Sequence, residues 1–158
     1  MHDVTDPPPG SALSSAPISG PAISLNDALD LLARVRAAAR HDGLRLSYAI
    51  VDSGGNPVVT ARDDDTQLGA LALAGDKAYT AVAFGMPTSA WTESSRPGGG
   101  DWGLAGTLGG RAIVFPGGVP LFVAGRLVGA VGVSGTVSTD DERCALAGIE
   151  SSVFGHQP

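Results

Sequence analysis

Between Gln67 and Phe84 the apolar residues fall on every side of a helix: Leu68, Ala70, Leu71, Ala72, Leu73, Ala74, Ala78, Ala81, Val82, Ala83 and Phe84. A surface helix keeps one face polar, whereas a helix apolar all round must be covered all round. The chain has 158 residues, the size of one domain, and is too short to wrap a central helix by itself. The expectation is that further copies of the chain cover it, making a homo-oligomer. Gly85-Met86-Pro87 ends the run. Within it stands Lys77, the chain's single lysine among ten basic residues.

The rest of the chain supplies a sheet for that helix to lie on. Ser24 is an N-cap with Asp27 in a capping-box position, and Leu25, Ala28, Leu29, Leu32, Val35 and Ala39 recur at helical spacing up to the stop at Gly43. Leu46–Asp52 and Pro57–Arg62 read as strands joined by Ser53-Gly54-Gly55-Asn56. After the central helix comes a short one bearing Trp91, then a glycine-rich stretch from Ser94 to Gly110. A loop this long inside a compact domain is usually functional or mobile.

Arg111–Phe115, Val119–Val123 and Leu127–Ser134 read as three further strands. Thr139 and Glu142 match a capping box opening a last helix that runs to about Phe154, with Leu146, Ile149 and Val153 as its packing face. The order is α-β-β-α-(α)-β-β-β-α. Short connections pair strands antiparallel, so the fold class is α+β, a five-stranded antiparallel sheet with helices packed on it. Residues 1–22 hold five of the eleven prolines and read as a disordered tail. Residues 23–155 form the single domain.

Composition narrows the partners. The formal net charge is −6, without the basic stripe that phosphate backbones require. Aromatic residues are only 5%, too few for single-strand stacking platforms, and the acidic balance disfavours anionic membranes. No nucleic-acid or membrane partner is expected, and a start without a signal peptide points to the cytoplasm. One cysteine excludes an intrachain disulfide and a cysteine-built zinc site, and the three histidines have no metal-ligand spacing. No nucleophile elbow, P-loop or dinucleotide fingerprint is present.

Lys77 is the first candidate for chemistry. Its neighbours three and four residues away are Leu73, Ala74, Thr80 and Ala81, so its partner must come from another segment. Asp52, Asp63, Glu142 or an anionic ligand would serve. A buried amine with a lowered pKa is also suited to act as a base. Catalytic candidates are therefore Lys77, Glu142 and Asp52, although Glu142 as a cap and Asp52 as a turn former have sufficient structural reasons. Binding candidates are Arg62 with Asp63 as a carboxylate clamp, Lys77 with Thr80 one turn on, and the backbone N–H groups of Gly117 and Gly118 as an anion nest.

Four segments in order resemble the haem-degrading GlcG/HbpS family, whose domain also ends PduO-type corrinoid adenosyltransferases. They are Ala49–Gly55 (AIVDSGG), Gly75–Ala81 (GDKAYTA), Phe115–Pro120 (FPGGVP) and Val128–Gly135 (VGAVGVSG). The resemblance implies a profilin-like domain assembling into oligomers, often octamers, with haem or another tetrapyrrole as ligand. Haem iron takes His, Cys, Met or Tyr. His2 and His156 lie in the tails and His41 at a helix end, leaving Met86, Tyr48, Tyr79 and Cys144. The functional expectation is an oligomeric protein that binds, and in the family's manner degrades, haem or a similar planar anion. The alternative is a cofactor-independent enzyme, an isomerase, cyclase or hydratase, acting on a small acidic metabolite with Lys77 and a carboxylate as its acid–base pair.

Overall fold

A computed structural model describes residues 22–156 and places them in three layers. The middle layer is an antiparallel sheet of β1 (Ser47–Asp52), β2 (Pro57–Arg62), β3 (Gly118–Val123) and β4 (Arg126–Ser134), in the order β2-β1-β4-β3. On one face lies α2 (Ala70–Phe84). On the other lie α1 (Leu25–His41) and α3 (Ser138–Glu150), packed against each other. The expected tail falls almost wholly outside the described residues. Among the described residues no helix is long and apolar enough to cross a membrane.

Strand alternation sorts the core into two halves. Tyr48 and Ile50 of β1 with Val131 and Val133 of β4 join the cluster formed by Leu31, Val35, Cys144 and Ile149. Ala49, Val51 and Ala130 turn the other way, onto Ala74, Ala78, Ala81 and Val82 of α2. Small residues on both sides of this second interface let the helix lie almost on the strands. At Gly132 any methyl group would overlap the Ala74 carbonyl oxygen.

The sheet has four strands, not five. Arg111–Phe115 forms no strand: Arg111 has helical backbone angles, and side chains take up backbone groups of the residues that follow. Thr80 Oγ1 accepts from Ile113 N–H at 3.0 Å, with its one proton shared between Asp76 O at 2.7 Å and Arg111 O at 3.0 Å, and Thr92 Oγ1 donates to Val114 O at 3.2 Å. With those groups occupied the segment runs along α2 rather than joining the sheet. The observed order is thus α-β-β-α, short 3-10 turns, then β-β-α. The free edge of β3 pairs instead with Gly155, which exchanges two hydrogen bonds with Phe122.

Other differences are local. In α1 the buried stripe is Ala28, Leu31, Val35 and Ala39, while Leu25 and Leu29 are exposed. The last helix stops at Glu150, so Val153 lies beyond it and is exposed. The central helix is covered on one half by its own chain. Ala70, Ala74, Lys77, Ala78, Thr80, Ala81 and Val82 are buried, while Leu71, Leu73 and Phe84 remain exposed, as does Leu68 before the helix begins.

Candidate functional site

Lys77 faces the sheet and reaches past its end to α3. Its Nζ donates to Asp141 Oδ2 at 2.8 Å and to Val133 O at 2.9 Å, and lies 5.3 Å from the centre of the Phe115 ring. Both side chains of the ion pair are 1% exposed. The partner is Asp141 rather than Asp52, Asp63 or Glu142, and the apolar surround comes from this chain alone. Burial pushes the Asp141 carboxyl up, against the opposing pull of Lys77 and the Thr136 N–H. Helical phase carries the signal for this partner. Asp141 stands three and four residues before the core positions Cys144 and Ala145, on the buried face of α3.

The turn after Phe115 seals the pair. A methyl group on Gly117 would sit 2.6 Å from Lys77 Nζ, and φ there is +128°, so glycine is required on both counts. Gly117 N–H donates to Glu142 Oε2 at 3.2 Å, Gly118 N–H donates to Thr88 Oγ1 at 2.9 Å, and Val133 N–H donates to Gly117 O at 2.8 Å. The expected anion nest therefore has its donors already in use. Glu142 is not the cap of α3, which begins at Ser138 behind Val137. Its other oxygen accepts from Ser89 Oγ at 2.9 Å, so it pins two loops to the helix. Asp141 Oδ1 takes the helix-start N–H instead, from Thr136 at 3.1 Å.

The remaining candidates are dispersed. Asp52 Oδ1 accepts from the N–H groups of Gly54 and Asn56, both at 2.9 Å, and shapes the β1–β2 turn. Burial would raise Asp52, but these donors together hold it below the ordinary carboxylate range. Thr80 is committed to the 111–113 segment. Arg62 is exposed at the end of β2. Asp63 does not clamp a ligand with it; it is buried and accepts from Arg36 Nε at 2.6 Å, Tyr48 OH at 2.8 Å and Leu46 N–H at 3.3 Å. Burial pushes Asp63 up, and the Arg36, Tyr48 and Leu46 donors more than reverse it.

Two concavities flank these groups. One of about 370 Å³ is lined by Arg36, Arg40, Arg45 and Asp63 to Asp65, at the C-terminal end of α1. Arg36 pairs with Asp63 and Arg45 with Asp65, whereas Arg40 has no carboxylate partner among the described residues. The other, about 460 Å³, lies between α3 and Pro116, with Ser89, Glu142 and Leu146 in its wall.

The architecture defines a small three-layer α/β domain with a sealed ion pair tying its opposite faces together. Residues 23–150 match the family described as haem degrading protein HbpS-like, and the chain belongs to that family. A 15.0 kDa protein from the dhaT–dhaS intergenic region of Citrobacter freundii is 32% identical over 128 residues, covering 81% of this chain and 90% of that protein. The corrinoid adenosyltransferase PduO of the same organism is 34% identical over 151 residues, which is 93% of this chain but only 45% of PduO. Among solved structures, a complex of PduOC with heme superposes with a TM-score of 0.82 at 31% identity, covering 87% of this chain and 99% of that one. The crystal structure of HbpS gives 0.76 at 30% identity, covering 89% and 96%.

Proposed function

We propose that residues 23–155 act as one domain that binds haem or a related tetrapyrrole as a homo-oligomer. The observation that carries this reading is the match, over 99% of its length, to a PduOC chain solved as a heme complex. The donor set of this chain fits the group. Tyr48 and Cys144 are buried in the core, so neither can reach an external iron. Tyr79 lies against the Arg111 guanidinium, 3.7 Å from its ring centre. His41 is open, and its Nδ1 lies 3.0 Å from Asp42 Oδ1. A carboxylate holding Nδ1–H leaves Nε2 as the basic ligand nitrogen. Haem supplies an iron that takes such a nitrogen and two propionates that need cations. Arg40, next in sequence and free of a carboxylate, is the cation we assign to a propionate.

Haemin titration of the protein tests the reading. A stoichiometric Soret shift that is lost in His41→Ala and weakened in Arg40→Ala supports it, and no shift in the parent protein rejects it. Loss in Met86→Ala instead would move the ligand to the exposed thioether after α2. The family description adds degradation, read as bleaching of the bound Soret band under reductant and oxygen. The acid–base reading of Lys77 needs its amine to meet a substrate. That amine is sealed beneath Gly117, and we read the pair as structural.

A further inference from the structure

The glycine-rich stretch after Trp91 folds back on itself. Asp101 N–H donates to Ser94 O, and both Gly103 N–H and Leu104 N–H donate to Asp101 O, each at 2.9 Å. These turns close around a recess of about 280 Å³ whose walls include Ser95, Asp101, Trp102 and Leu104.

Two features of the recess are unused by the fold. The Asp101 carboxylate has no ion-pair or hydrogen-bond partner among the described residues. The nearest cation in sequence, Arg96, is held by Glu93 at 2.8 Å. Trp102 is 59% exposed. Ser95 Oγ also lacks a hydrogen-bond partner among the described residues, but it is fully enclosed and out of a ligand's reach.

We propose that this recess binds a small organic ammonium ion, with Asp101 as its counter-ion. A carboxylate supplies the charge, and an indole face attracts a cation through its quadrupole. Leu104 and the loop backbone offer apolar wall to a short alkyl chain. An anion would meet Asp101 unshielded. A metal ion needs several oxygen ligands, and among the described residues no group of three His, Cys, Asp or Glu side chains comes together. The net charge of −6 draws cations toward the surface.

The probe is n-butylammonium, with n-butanol as the uncharged control, read by fluorescence in a Trp91→Phe background that leaves Trp102 as the only tryptophan. Saturable quenching by the ammonium, weakened about tenfold or more in Asp101→Asn and lessened by added salt, supports the site. The Asp101 carboxylate has no hydrogen bond or ion pair among the described residues, so Asp101→Asn is expected to keep the parent circular dichroism. Equal binding of butanol, or unchanged affinity in Asp101→Asn, overturns the proposal. Acetyl-lysine amide carrying a free side-chain amine is the second arm. Tighter binding of that probe assigns the site to a peptide lysine, and tighter binding of butylammonium to a free amine. Haem plays no part in either reading.

Discussion

Lys77 and Asp141 are 1% exposed and hydrogen-bonded to each other and to backbone. Removing one member of such a pair strands the other in the core. Lys77→Ala is therefore expected to cost about 3–5 kcal/mol in urea unfolding, while Lys77→Met combined with Asp141→Leu should recover most of it. Asp63 gives a different signature. Its folded pKa lies below the usual value near 3.8, so it stabilises the fold at pH values above that, and the contribution disappears as pH falls through the folded pKa. The urea midpoint should drop below about pH 4 in the parent and drop less in Asp63→Asn. The importance of Lys77 is legible in the sequence because a lone cation in an apolar run must find a partner. The identity of the partner is not, because Thr139 to Glu142 satisfies a capping pattern that points one residue past Asp141.

The seam between α2 and β4 is set by residues without side chains to spare. Gly132 has no room for a methyl group, so Gly132→Ala should cost about 1–3 kcal/mol or more by forcing helix and strand apart. Gly75 lies in the same helix, and a methyl group placed there would meet nothing within 4 Å. There alanine should add roughly 0.5–1 kcal/mol through helix propensity. Thermal unfolding of the two variants separates close approach from mere flexibility. Helices and hairpin strands are readable from periodicity and turn residues. The 111–115 segment misleads because its Val and Ile residues suit a strand, while threonines from two other elements take its hydrogen bonds. Nothing local records that competition.

For the whole molecule, the half of α2 that its own chain leaves bare is the reason to expect assembly. Leu71 and Leu73 are each 36% exposed and Phe84 is 37% exposed, beside a long Ala-rich stretch. Sedimentation is expected to show an oligomer that Leu73→Glu dissociates toward monomer, with the monomer still folded by circular dichroism. A single chain covers more of this helix than its composition suggests, since the sheet takes one whole side of it. The candidate site is less legible than the fold. Arg62, Asp63, Thr80 and Gly117 each have side chains or backbone suited to ligand chemistry, and most of them are spent on neighbours in the tertiary structure.

Gly117 closes over the only lysine in the chain, and the only cysteine, Cys144, is likewise buried. The native protein should therefore resist acylating and alkylating reagents at both side chains until it opens. Mass spectrometry of the tryptic peptides around residues 77 and 144 would then time that opening from two faces of the sheet at once. Equal labelling rates would mark one cooperative event, and a faster amine would show that the turn over it lifts before the core does.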